Sequence, residues 1–417
     1  MKVLSVPRHR FVGVAFVLVL LLSACGAPLA GESWPGISTD GKYLYVAFQE
    51  HIFRVNPALQ PGGAPNTRPI EWLATSPGNT HMYAPPAIGN DGVLYEGAYD
   101  HNVYAFPETS QPTPLTLGAG NTADAPTDRF MGGAVIAGDL VYIGMGDKGM
   151  IAYNRTDGSI KWKFTDTQYG VWGNPVLVGG TLYFGSMDHF MYALDAQSGK
   201  LVWKADLGGA IPGTPFYDNG LLYVGTFNNE LLAVATKDGK VAYRFKTQGW
   251  VWATPILKDG VLYLGDLSGY VYALNEANLT QKWSVTNLQF PGAIRGAAVL
   301  TQVKDNNGDP KDVIIVGSES KYLMAFDAAT GASVWTSAIA AQDQILSDLI
   351  VMGDEVICTT PNASEVVAAY NIQTGQHDWD VVLPDQLTRL QTATNVPLSA
   401  SAATAAPTQA ATAASTQ

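Results

Sequence analysis

The run Val171-Trp172-Gly173-Asn174-Pro175-Val176, Gly179-Gly180, Thr181-Leu182-Tyr183-Phe184-Gly185, Asp188-His189, Met191-Tyr192-Ala193-Leu194-Asp195, Ser198-Gly199, Leu201-Val202-Trp203 decides how the rest of the chain is read. It consists of four short stretches rich in Val, Leu, Phe, Tyr and Trp, each bounded by turn residues. That pattern predicts a four-stranded antiparallel meander. A single sheet of this size cannot bury both of its faces, so it needs copies of itself.

The copies are present at regular spacing. Leu182-Tyr183-Phe184-Gly185 recurs as Leu94-Tyr95-Glu96-Gly97, Val141-Tyr142-Ile143-Gly144, Leu222-Tyr223-Val224-Gly225 and Leu262-Tyr263-Leu264-Gly265. Weaker copies stand at Leu44-Tyr45-Val46-Ala47, Ile314-Ile315-Val316-Gly317 and Val356-Ile357-Cys358-Thr359, which gives eight units with a period of about forty residues. A second anchor keeps the same register: Ala152, Ala193, Ala273, Ala325 and Ala369 are followed ten residues later by Trp162, Trp203, Trp283, Trp335 and Trp379, and Ala233 by Tyr243. A large ring at a fixed place on the outermost strand can pack on the next sheet's turn and seal unit to unit. The expected fold is an all-β, eight-bladed β-propeller of four-stranded antiparallel blades.

The pattern Leu-Tyr-x-Gly, then Tyr-Ala-Leu-Asp, then Ser/Thr-Gly and Trp resembles the pyrroloquinoline-quinone (PQQ)-type propeller repeat. That repeat occurs in quinoprotein alcohol dehydrogenases and in the BamB-type lipoproteins of outer-membrane barrel assembly, and the resemblance covers Trp34 to Leu383. It implies a propeller. It does not fix an activity, because one scaffold carries both an enzyme family and a non-enzymatic one.

Residues 1–25 read as a secretory leader, with Lys2, Arg8 and Arg10 before the apolar run from Phe11 to Leu22. Leu22-Ser23-Ala24-Cys25 resembles a bacterial lipobox, which implies a lipid on Cys25 and an extracytoplasmic protein anchored to a bacterial membrane, either the outer face of the cytoplasmic membrane or the outer membrane. An ordinary leader with an incidental cysteine is the other reading. Residues 26–33 then form a short tether, 34–384 the propeller, and 385–417 an Ala/Thr/Ser-rich tail too poor in large apolar residues to order itself. With Cys25 lipidated, Cys358 has no disulfide partner and reads as a small buried hydrophobe. The formal charge of −12 argues against nucleic acid as a partner.

In a propeller the loops leading into the innermost strands meet around the axis. Those loops share an apolar residue, a variable one and a small one, and the variable position reads Tyr83, Met131, Trp172, Pro212, Trp252 and Arg295. Three aromatics and a guanidinium around one mouth suit a planar ligand or a partner's apolar anchor, with Arg295 placed to take a carboxylate. The alternative is a plug that merely fills the channel. The turns Glu50-His51, Asp100-His101 and Asp188-His189 pair an acid with a histidine, but Asn228-Asn229 and Ser268-Gly269 fill the same slots, so these read as tight hairpin residues.

Asp305, Asn307, Asp309 and Asp312 place oxygen ligands at alternate positions, as a calcium loop requires. The segment resembles calcium loops of other propellers but is one residue short, with Pro310 where glycine is expected; a polar hairpin is the other reading. For a PQQ-dependent dehydrogenase the family resemblance requires adjacent cysteines, which are missing here, so neither PQQ nor any other cofactor is expected. The expected function is a non-enzymatic, lipid-anchored scaffold in envelope protein assembly, a monomer within a complex, engaging an exported or membrane protein. A PQQ-dependent dehydrogenase-like quinoprotein and a ligand-sensing propeller using the aromatic mouth are the alternatives.

Overall fold

The computed structural model describes residues 35–59, 67–109, 113–119, 126–286 and 292–383. Cys25, the tether and the Ala/Thr/Ser-rich tail lie outside the described residues. Eight four-stranded antiparallel sheets, each with its strands in sequence order, form the eight blades expected from the repeat.

Blade 4 shows why the repeat reads as it does. Its strands are Val176–Val178, Thr181–Gly185, Phe190–Asp195 and Leu201–Asp206. Val176 pairs Tyr183, Tyr183 pairs Ala193, and Ala193 pairs Trp203, so the two sequence anchors lie in one row across the sheet. Side chains on a strand alternate between faces. Tyr183 and Ala193 therefore pack on Leu222, Val224 and Leu232 of blade 5, while Leu182, Phe184, Tyr192 and Leu194 pack on Tyr142 and Phe164 of blade 3. Alanine is the residue that lets the Tyr183 and Trp203 rings, 5.8 Å apart, straddle it. The same spacing, 5.9 Å, separates Tyr142 from Trp162 and Tyr263 from Trp283.

The expected indole seal is present. Trp162 donates its Nε1–H to the Ala196 carbonyl of the next blade (2.9 Å), Trp203 to Thr236 (2.8 Å), Trp283 to Ala328 (3.0 Å) and Trp335 to Ile372 (3.1 Å). Each ring also covers a turn glycine. A Cβ on Gly199, Gly239 or Gly331 would stand 2.6, 2.7 and 2.8 Å from Trp162, Trp203 and Trp283.

The ring closes without a shared sheet. Blade 8 builds its own outer strand, His377–Val381, from the C-terminal side, and blade 1 is wholly N-terminal. Their joint is an apolar cluster that includes Ile37, Phe53 and Val55 from blade 1 with Ile357, Trp379 and Val381 from blade 8. A polar clasp, which the sequence did not announce, lies beside it. The loop before the outer strand of blade 1 forms a parallel bridge from Thr67 to Asp380, with Arg68 N–H donating to the Asp380 carbonyl (2.8 Å) and the Arg68 guanidinium over Trp379. Cys358 is fully buried, and burial pushes its thiol pKa up, as a packing residue's would be.

Candidate functional site

Each inner strand enters from the same face as the turn between the second and third strands, and one hydrogen bond ties the two together in blade after blade. Tyr99 N–H donates to His81, Met187 to Gly170, Phe227 to Ala210, Leu267 to Trp250 and Glu319 to Ala293, all at 2.8–3.0 Å. The face is thereby fixed at both its inner and outer loops. At its centre Gly36, Gly173, Gly213 and Gly296 lie against the backbone of the following blade's entering loop, so closely that a Cβ at any of them would overlap it. Backbone meeting backbone sets the width of the channel.

The variable positions line this channel as expected: Tyr83, Met131, Trp172, Pro212, Trp252 and Arg295 surround a cavity of about 120 Å³, joined by Leu346 of blade 8. Trp172 and Trp252 stand 5.9 Å apart at 34°. Arg295 lies over Trp252 at 4.5 Å, and its Nε and Nη2 both donate to Glu319 Oε1 (2.9 and 2.5 Å). The guanidinium expected to take an incoming carboxylate therefore already holds one from its own chain. Opposite, Tyr83 shares a hydrogen bond with His81 Nδ1 (2.7 Å) and meets the Tyr99 ring at 4.4 Å; burial pushes the Tyr83 hydroxyl up to about 12.

Two residues further along each entering loop stands a second ring, in which Asn174, Thr214, Thr254 and Asp348 line the cavity. Gly133 N–H donates to Asn174 Oδ1 (2.6 Å), Asn174 N–H to Thr214 Oγ1 (2.9 Å) and Ala297 N–H to Asp348 Oδ1 (2.6 Å). Asp348 is open to water inside the channel yet enclosed by protein, and that enclosure raises its carboxyl above the ordinary range, only partly offset by the Ala297 N–H.

The aromatic surface also extends outward from the mouth. Phe227 meets Trp252 at 5.7 Å and stacks on Trp250 at 4.5 Å and 19°, and Trp250 is 49 % exposed. Sequence reading missed Phe227, Trp250 and Tyr99. The signal was available: Tyr99, Met187, Phe227 and Leu267 occupy one repeat position, immediately before the turns Asp100-His101, Asp188-His189, Asn228-Asn229 and Ser268-Gly269, while Trp250 immediately precedes the apolar residue of its entering loop.

The histidine turns and the acidic loop do not converge on the mouth. His101 and His189 have φ of 71° and 79°, the left-handed conformation of a tight hairpin. Asp305 Oδ1 accepts from Asn307 N–H (2.8 Å) and Asp309 N–H (3.0 Å), closing a hairpin, while Asp312 sits on the next strand bound to Lys258 and Gln302. Among the described residues no group of three acidic, histidine or cysteine side chains is placed to share a metal ion.

Comparison with known proteins agrees with this architecture. The sequence profile of the family described as outer membrane protein assembly factor BamB matches residues 117–208, 188–309 and 301–415, well over half of the chain. Among curated proteins, none matches. Among solved structures, BamB from Moraxella catarrhalis superposes with a TM-score of 0.59 at 17 % identity, covering 82 % of this chain and 94 % of that one. The computationally designed Ika8 protein superposes at 0.58 with 14 % identity, covering 73 % and 87 %. With the repeat, the eight blades and the profile match in agreement, the chain belongs to the BamB family of PQQ-like β-propellers.

Proposed function

We propose that this protein is a non-enzymatic, extracytoplasmic scaffold, held to a bacterial membrane through a lipid on Cys25, that docks an exported or membrane protein on its channel-mouth face in envelope protein assembly. The observation that carries this reading is the continuous run of rings Trp172, Trp252, Phe227 and Trp250, which starts in the mouth and ends exposed on the face. An exposed indole, such as Trp250 on a loop pinned by backbone hydrogen bonds, is the kind of residue that dominates protein interfaces. The central cavity of about 120 Å³ has room for the end of a partner's side chain.

The test has two arms. In cells, Cys25→Ser shifts the protein out of the membrane fraction, and a photoreactive benzophenone residue at position 250 gives one discrete crosslink to a membrane protein that Phe227→Ala weakens. A crosslink of equal yield from Gly179, at the opposite end of blade 4, with none from position 250, would assign the partner to the other face and end this reading.

A further inference from the structure

Among the described residues Asp348 is the one acidic side chain that lines the channel cavity; the other ionisable groups lining it are Tyr83 and Arg295. Arg295 is neutralised by Glu319, and no basic side chain among the described residues offsets the enclosure of Asp348. The bond that Asp348 makes does not require a charge. Asn174, at the same repeat position in blade 4, accepts the same backbone N–H with a neutral amide. The surplus of Asp348 over asparagine is a negative charge, facing a small cavity walled by Trp172 and Trp252. Aromatic walls around a carboxylate form the arrangement that holds an organic cation.

We infer that the channel mouth is a socket for an alkylammonium group, with Asp348 as its counter-charge and the two indoles as its walls, and that the docked partner fills it with a lysine side chain. This rests on the docking reading above. The acidic character of the whole chain, −12 in formal charge, favours the approach of such a basic segment. The volume of the cavity suits the end of a lysine side chain, whose last four heavy atoms are three methylenes and the ammonium.

The full chain in non-ionic detergent is titrated with n-butylammonium, n-butanol and potassium ion, followed by calorimetry and tryptophan fluorescence. Butylammonium is expected to bind saturably, butanol and potassium at least tenfold more weakly, and Asp348→Asn to reduce butylammonium affinity at least tenfold without moving the thermal unfolding temperature by more than a few degrees. Affinity rises with pH as the Asp348 carboxyl ionises and is flat in Asp348→Asn. Equal binding of butanol, equal binding of potassium, or an unaltered Asp348→Asn would each overturn the socket. In membranes, the position-250 crosslink should fall severalfold in Asp348→Asn. If that crosslink persists undiminished, the docking reading stands and the lysine assignment fails; if butylammonium binds but no crosslink forms from position 250, the assignment of the socket to that partner fails.

Discussion

Glu96 stands where the other blades carry Phe184, Val224 or Leu264, and it is completely buried between blades 1 and 2. Among the described residues neither carboxyl oxygen has a hydrogen-bond partner of good geometry, and the nearby Ala84 N–H only partly offsets the burial. Burial therefore holds the carboxyl protonated well above the usual range. A folded-state pKa above the unfolded value means the site is least costly below the ordinary glutamate pKa of about 4.3, and stability is lost as pH rises from there towards the folded value. Glu96→Leu should accordingly stabilise the protein by about 1–3 kcal/mol at neutral pH. The gain should shrink on acidification to pH 4, read by urea denaturation at the two pH values. A gain that did not change with pH would mean the ionisation of Glu96 is not the cause. The sequence showed that Glu96 departs from its repeat position, but not that no partner awaits it, because partners in a closed ring come from other units.

Among the elements, the joint between an outer strand and the next turn is the repeated unit of cohesion. Gly239 has φ +72°, and a Cβ there would stand 2.7 Å from Trp203. Gly239→Ala combines a left-handed alanine with an overpacked indole and should destabilise by about 2–4 kcal/mol in thermal or chemical unfolding. One exception is instructive. Blade 5 carries the smaller Tyr243, 40 % exposed, and the turn that follows carries Leu279 in the glycine's place, at φ 55° and 2 % exposed. In a double-mutant cycle Tyr243→Trp and Leu279→Gly should couple favourably by at least about 0.5 kcal/mol, the pair being less destabilised than the sum of the singles. Additivity would show that the two positions are independent. The Trp and Gly anchors were legible because they recur. The outer strand of blade 7 was less so: beyond an isolated Phe326–Ser333 bridge only Ile339–Ala340 pairs as a strand, because the residues after Trp335 depart from the regular ladder.

For the molecule as a whole, the eight-fold repeat made the fold readable from sequence, and breaks in that repeat mark what was not. Leu346 and Asp348 escaped notice because the entering loop of blade 8, Ile345-Leu346-Ser347-Asp348-Leu349, has neither the glycine nor the proline of its counterparts. The Thr67–Asp380 clasp comes from a single bridged residue in a loop, which leaves no periodic trace. That seam is the one joint whose two blades are not consecutive in the chain. Trp379 is fully buried there and donates to Glu355 Oε1 (2.8 Å). Trp379→Ala should cost about 3–5 kcal/mol and expose blades 1 and 8 together in native-state hydrogen exchange. Trp203→Ala should instead expose blades 4 and 5; the same exchange pattern in both variants would show that the seam is no weaker than an internal joint.

The seam also sets an orientation. The Pro35 carbonyl accepts from Thr359 Oγ1 at the mouth end of its strand, and the last strand finishes at Val381 beside Val367, also at that end. Both ends of the described chain thus leave from the face that carries the aromatic rings. Nine residues lie between Cys25 and Pro35, ten Cα–Cα steps that make a leash of at most about 35 Å even when fully extended. A lipid on Cys25 would therefore turn the mouth toward the bilayer, so whatever docks there would have to be reached within a few nanometres of the membrane surface rather than out in the surrounding compartment.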